Sequence, residues 1–304
     1  MRRWGGRLGL AVGGVVALLI AIEGLFRLVA PPGPLFLNPG RSNCLRRDPS
    51  LSLSFVPDCH AAWYGTDFTT NALGLRGPQP ASDGRRRIIG LGDSCTWGWQ
   101  VAQDGTYPAL LQAALTRRDG RPVEVLNAAV PGWTSYQGLV WLRERGLGLK
   151  PAAVIIGFGF NDMTRSGDIA QRIAAEREHQ WLLRIDDALI DVSAVYRSLR
   201  GIGATDPTAA DGAPERAPRV PPEETEQHLT EMITLARAQG AQVVLVDFLN
   251  PNGAEAPPYA AAIRRAAAST NTPLLPYEGG RIDVVHPTGT GLRVLAGQLA
   301  DALQ

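Results

Sequence analysis

From Arg87 onward the chain alternates short, wholly apolar runs with longer stretches of helical periodicity, and this rhythm constrains the fold more than any other feature. The runs predicted as strands are Ile88–Gly92, Val123–Leu126, Ala153–Phe158, Gln242–Phe248 and Pro273–Pro276. Helices are predicted near 107–117, 136–145, 168–199, 222–239, 258–269 and 289–303. A strand that is apolar on both faces must be covered on both, and strands separated by helices pair in parallel. Residues 87–304 therefore read as one α/β domain with a parallel sheet between two helical layers. The Pro-, Ala- and Asp-rich stretch 203–222 interrupts it and is expected to be a mobile surface loop.

The amino terminus carries a different signal. Arg2, Arg3 and Arg7 precede Leu8–Ile22, which holds no charge, and the apolar pattern resumes after Glu23 as far as Ala30. As a helix, Leu8 to Ala30 reaches roughly 34 Å, enough for a bilayer core of about 30 Å, whereas Leu8 to Ile22 alone falls short. Glu23 and Arg27 then lie four apart in the far interfacial layer, able to pair or snorkel. Basic residues ahead of the span orient it with its start in the cytoplasm and Pro31 onward outside, on the periplasmic or extracellular face. The competing reading is a cleaved secretory signal, but Ala30 is followed by Pro31, Pro32 and Gly33 and no small-residue cleavage site follows the run. Residues 1–30 are thus expected to be an uncleaved signal-anchor, and 31–86 an extracytoplasmic linker with a small packed segment turning at Asn71, Gly74 and Gly77.

Composition excludes some partners. Lys+Arg total 30 against 29 Asp+Glu, a net charge of +1 in 304 residues, so no basic surface for nucleic acid is expected. With 45% hydrophobic and 19% charged residues the chain is globular, not disordered. Of three cysteines, Cys44 and Cys59 lie just beyond the anchor, where an oxidising compartment allows a bridge worth about 3 kcal/mol for a loop of this size. Two free thiols are the alternative. Cys95, inside an apolar motif, reads as a small buried filler.

Ligands of an open parallel sheet meet it at the carboxyl ends of the strands. There the sequence places Gly92-Asp93-Ser94, then Asn127 to Gly132, then Gly159-Phe160-Asn161-Asp162, and ahead of the last helix Asp283-Val284-Val285-His286. Ser94 falls where a strand turns into a helix, so its hydroxyl projects from the sheet edge and its N–H points at developing negative charge. A serine needs a base to become a nucleophile, and His286 is the histidine with a carboxylate three residues earlier, Asp283, placed to hold one imidazole nitrogen. His60, His179 and His228 read as surface residues. Gly132 offers a backbone N–H and Asn161 a side-chain amide to an oxyanion. Each fragment alone is more often structural: Gly-Asp-Ser and Pro-Gly are common turns, Asn-Asp caps helices, and Asp-x-x-His arises by chance. In this order, each at its strand end, they form one constellation.

These four blocks resemble the SGNH (GDSL) hydrolase family over about Arg87 to the carboxyl terminus. The stretch Ser94-Cys95-Thr96-Trp97-Gly98 with Thr106-Tyr107-Pro108 is similar to the opening of exported or membrane-anchored members, and Asn71 to Gly77 to a segment that often precedes it. The resemblance implies a three-layer α/β/α flavodoxin-like fold, here preceded by one transmembrane helix. It further implies Ser94 as nucleophile, His286 as base, Asp283 as its partner, and an oxyanion hole from the Ser94 and Gly132 N–H groups with Asn161. The α/β-hydrolase alternative lacks its G-x-S-x-G elbow here. The expected activity is a serine esterase removing a short acyl group from a glycan, lipid or small ester, with no cofactor and no metal. Transfer of the acyl group to a sugar hydroxyl, and a non-catalytic glycan-binding domain, are the rival readings. Among the aromatics near the site loops, Trp97, Trp99, Trp133, Tyr136 and Phe160, substrate contact is expected from Trp133 and Phe160.

Overall fold

The structure is a computed structural model that describes residues 2–29, 44–201, 217–249 and 256–303. In chain order the elements are α1 (Arg2–Val29), strands β1 (Leu45–Asp48), β2 (Ser52–Phe55), β3 (His60–Trp63), β4 (Thr66–Thr69) and β5 (Arg86–Gly92), then α2 (Ser94–Trp97), α3 (Tyr107–Asp119), β6 (Val123–Ala129) and α4 (Ser135–Trp141). There follow β7 (Ala153–Gly157), α5 (Phe160–Met163), α6 (Ile169–Glu178), α7 (Gln180–Val192), α8 (Ala194–Gly201), α9 (Pro222–Ala238), β8 (Gln242–Asp247), α10 (Ala256–Ser269), β9 (Leu274–Pro276) and α11 (Gly289–Ala302).

The five later strands form one parallel sheet in the order β6-β5-β7-β8-β9. Period-two alternation divides their side chains between two cores, which is why the runs are apolar throughout. Ile89, Leu91, Val154, Ile156, Val243 and Leu245 point to the side covered by Leu139 of α4, Met232 and Ile233 of α9, and Ile263 of α10. Ile88, Ala153, Ile155, Val244 and Val246 point to the other, against Leu111 and Leu115 of α3 and Leu292, Leu295 and Leu299 of α11. The expected three layers are present. Strand and helix positions follow the apolar pattern closely, except that the helical stretch near 168–199 is broken into α6, α7 and α8 at His179 and Ser193.

Of the expected linker and packed segment over 31–86, the structure describes residues 44–86. From Cys44 the chain forms two antiparallel hairpins, β1–β2 and β3–β4, joined by a Cys44–Cys59 disulfide. Phe55, Trp63 and Phe68 from the hairpins gather around Trp97 of α2, with ring centroids 5.0 to 6.0 Å from it. Arg76 is buried against the same indole, its guanidinium 4.2 Å from the ring centroid. Its nitrogens donate to the carbonyls of Trp97, Gly98 and Val101 at 2.7 to 2.9 Å. Residues 30–43, including the expected end of the anchor at Ala30, lie outside the described residues.

α1 is a continuous helix whose window Val12–Val29 is long and apolar enough to cross a membrane, and none of that window is buried in the protein. Of the expected loop 203–222, residues 203–216 lie outside the described residues. Its end is packed, not loose: Val220 is buried and its N–H donates to Asp162 O at 3.1 Å, while Arg219 N–H donates to Thr164 O at 3.0 Å.

Candidate active site

Three of the sequence-predicted site loops leave the sheet at one level. Gly92 of β5 pairs with Ala129 of β6 and with Gly157 of β7, so Ser94, Gly132 and Asn161 follow two, three and four residues beyond a common row. The turn at Ser94 is tight enough to require Gly92: a Cβ there would lie 2.3 Å from Thr96 Oγ1 and 2.7 Å from Gly157 O. Asp93 caps α2, its carboxylate accepting from Cys95 N at 2.9 Å, which leaves Ser94 in the first turn, where amides have no intrahelical acceptor.

His286 arrives from the loop between β9 and α11. That loop closes on itself through Ile282 N donating to His286 O at 2.7 Å and an isolated Arg281–Pro287 bridge. Asp283 Oδ1 accepts from the backbone N–H groups of Val285 and His286, both at 2.8 Å, and its Oδ2 lies 2.7 Å from His286 Nδ1. A carboxylate only accepts, so Nδ1 carries the proton and Nε2 presents a lone pair to Ser94 Oγ, 2.9 Å away. Serine, imidazole and carboxylate thus form one hydrogen-bonded line.

Burial holds the His286 imidazolium below its ordinary range, and Asp283 opposes that only in part. Burial also raises Asp283, but the hydrogen bonds it accepts from His286 and Val285 outweigh this and leave its carboxyl below the usual carboxylate range. Asp93 is buried and pushed up to about 7 by desolvation. Its Oδ2 accepts from Asn161 Nδ2 at 3.1 Å, which fixes the amide and leaves its second N–H for another acceptor. Asp162 next to it is also raised by burial, and ties loops together by accepting from Ser135 N at 2.8 Å and Thr225 Oγ1 at 2.8 Å.

Gly132 adopts a φ of +83°, which glycine reaches without strain, and the turn's own bond runs from Trp133 N to Val130 O, so the Gly132 N–H is not spent there. Its carbonyl accepts from Arg219 Nη1 at 2.8 Å. Burial, and then the nearby Arg172 charge, push the Arg219 guanidinium down to about 9. Arg219 escaped sequence reasoning because it sits in the stretch expected to be loose.

One of the two aromatic expectations, Trp133, needs correcting. Trp133 is 2% exposed and its Nε1 donates to Leu53 O at 2.9 Å, so it bolts the Gly132 turn to β2 and offers little surface to a substrate. Phe160 is half-buried, packed against both cores. The aromatic beside the imidazole is Trp99, stacked on His286 with centroids 5.3 Å apart and planes 20° apart, with Tyr64 5.0 Å behind it. Its position after Gly98, in the same turn as the candidate nucleophile, was the available signal. His228 is not a plain surface residue: it is half-buried with Nδ1 3.0 Å from Ser135 Oγ, and burial lowers its pKa. Cys95 is buried, as expected of a filler. Among the described residues no three His, Cys, Asp or Glu side chains converge as a metal site would require.

A parallel-sheet domain with a serine, histidine and carboxylate aligned at its strand ends is the architecture of a serine hydrolase. The chain belongs to the GDSL-like lipase/acylhydrolase family, whose model matches residues 91–294, and whose members act on ester bonds. It is similar to an arylesterase of Vibrio mimicus, 34% identical over 85 residues, or 28% of this chain; the chain spans about two-fifths of that relative, 42% of its length. Among solved structures it resembles TesA, with 21% identity and a TM-score of 0.47 over 72% of this chain and 98% of the other. It also resembles the esterase EstA from Pseudoalteromonas sp., with 17% identity and a TM-score of 0.46 over 72% and 96%.

Proposed function

We propose that this protein is a membrane-anchored serine esterase, facing the periplasm or cell exterior, that cleaves a short acyl ester of a glycan, lipid or small alcohol. The observation that carries the reading is the line from Ser94 Oγ through His286 to Asp283, with contacts of 2.9 and 2.7 Å. In the first half-reaction the Ser94 oxygen bonds to the carbonyl carbon while its proton passes to His286 Nε2, and Asp283 holds the resulting imidazolium in place. The oxyanion is held by the Ser94 and Gly132 N–H groups and the free N–H of Asn161. Collapse breaks the ester C–O bond and His286 returns its proton to the departing alkoxide. Water then repeats the sequence on the acyl-enzyme, releasing the acid and restoring Ser94. No step calls on a cofactor.

Trp99 and Phe160 are the aromatic side chains that this reading places beside the acyl group or its alcohol, Trp99 through its stack on His286 and Phe160 through its partial exposure at the start of α5. The anchoring part rests on the window Val12–Val29 of α1, none of which is buried in the protein. A serine-directed phosphonate tests the chemistry: it should attach to Ser94 in the folded protein, and attachment elsewhere, or none, refutes the assignment. Release of acid from an aryl acetate with and without an oligosaccharide acceptor separates hydrolysis, the preferred reading, from transfer.

A further inference from the structure

The α7–α8 hairpin wears its amphipathicity the wrong way round for a pair of helices bathed in water. Trp181, Ile185, Leu189 and Val192 are spaced i, i+4, i+8 and i+11 on α7, one stripe with Leu182 beside it. All five are exposed, Trp181 by 64% and Val192 by 62%, and Leu199 of α8 by 59%. Two of the three acids of α7, Asp186 and Asp187, point inward instead, while Asp191 is exposed. Asp186 and Asp187 accept from Arg47 of β1 at 3.0 and 2.8 Å, Asp186 also accepts from Tyr196 Oη and pairs with Arg200, and Ile190 is buried on the same side. Charge holds the hairpin to the protein, and hydrocarbon faces out.

The hairpin is also bonded to the end of α1. Glu23 caps α8, accepting from Ala194 N at 2.7 Å, Ser193 Oγ at 2.9 Å and Val195 N at 3.3 Å. Arg27 pairs with Glu23 at 2.8 Å and donates to Val192 O, at the end of α7, at 2.7 Å. Whatever level Glu23 and Arg27 occupy in a bilayer, the junction of α7 and α8 occupies too.

We infer that α7 lies in the boundary between headgroups and acyl chains of the bilayer that α1 crosses, apolar stripe inward, as a second membrane contact that fixes how the catalytic domain sits on the surface. The inference rests on reading α1 as a membrane span. Continuity with α1 selects the occupant: Glu23 and Arg27 mark the polar end of the span, so the stripe bonded to them meets lipid where a tryptophan and aliphatic side chains are stabilised by burial. Held at two places, the domain loses the freedom to swing about a single tether.

Nitroxide labels on the full-length protein in phosphatidylcholine–phosphatidylglycerol vesicles test this. The labels go singly at Ile185→Cys, Val192→Cys, Leu18→Cys in α1 and Asp301→Cys at an exposed position of α11; the native cysteines are bridged or buried. The Ile185 and Val192 labels should favour collision with oxygen over a water-soluble nickel chelate by several-fold relative to the Asp301 label. If they match the Asp301 label while the Leu18 label is shielded, the anchor stands and the hairpin contact is refuted. A Leu18 label open to nickel refutes the anchor, and the hairpin contact with it. Shielding from both reagents with dipolar broadening between labels identifies a second copy of the chain as the cover, which also overturns the inference.

Discussion

His286 Nε2 lies 2.9 Å from Ser94 Oγ across 192 residues of sequence. Gly92 lets the chain turn sharply after β5, and the self-closed loop from Arg281 to Pro287 brings the imidazole to that turn. Ser94→Ala should therefore leave the far-UV circular dichroism and unfolding midpoint nearly unchanged. It should also reduce turnover of an aryl acetate by about four to six orders of magnitude. Full turnover by this variant would mean that a different group attacks the ester.

The pH dependence follows from the surroundings of His286. With His286 as the proposed base, neutral imidazole is the active form, and burial disfavours its protonated form, so activity should be retained as pH falls until a point below the ordinary value near 6.5. The acid limb of kcat/KM should have its midpoint below pH 6.5. Asp283→Asn removes the acceptor that fixes the Nδ1 proton and stabilises the imidazolium, with an expected loss of roughly 10²- to 10⁴-fold in kcat. Steady-state profiles of both proteins between pH 5 and 9 check this, and an acid limb above 6.5 in the native enzyme contradicts the burial argument.

Two residues are expected to act through transition-state charge. Asn161→Ala should lower kcat roughly 10²- to 10³-fold with little change in KM, because the amide meets the oxyanion and not the ground-state ester. Arg219 is a positioning residue: its bond to Gly132 O steadies the turn that offers the Gly132 N–H. Arg219→Met keeps most of the volume and should lower kcat about tenfold at near-constant KM, the cost of one hydrogen bond to a charged group. A change confined to KM would move Arg219 from positioning the turn to binding the substrate.

Sheet, layers and the candidate triad were legible in the sequence because each rests on local pattern. Double-faced apolar runs such as Val154 to Ile156 require burial on both sides, and polar residues directly after such runs have nowhere to go but the carboxyl edge. What was not legible depends on contacts between distant segments. Trp133 reads like a pocket aromatic, yet β2 supplies a carbonyl for its indole and draws it into the core. Arg219 and Val220 read like the tail of a Pro-rich loop, yet Asp162 and Thr164 offer them carbonyls beside the site. Arg76 carries no apolar signal at all, and it is buried because three carbonyls around the Ser94 turn converge on its guanidinium.

The Cys44–Cys59 bridge closes a 15-residue separation at the base of the two hairpins. On the chain-entropy account its reduction should cost about 3 kcal/mol. The hairpins pack on Trp97, next to the Ser94 turn, so the loss should reach the candidate site as well as the global stability. Urea unfolding with and without dithiothreitol, with esterase activity followed in parallel, checks both. Unchanged midpoints would show that the hairpins hold their place through aromatic packing alone.

Trp99 is the aromatic that the geometry ties to the reaction. Stacked on His286 with its plane tilted by 20°, and backed by Tyr64, it limits how far the imidazole can rotate away from Ser94. Trp99→Ala should lower kcat/KM about tenfold, at the upper end of what an aromatic pair contributes, roughly 1.4 kcal/mol. Trp99→Phe keeps a ring over the imidazole and should recover most of that loss. A wall that only shapes the acyl pocket behaves differently: the alanine variant would then change the preference between acetate and longer acyl esters while leaving acetate turnover intact. Comparing kcat and KM for acetate, butyrate and octanoate aryl esters across the three proteins distinguishes a residue that steadies the base from one that only selects the substrate.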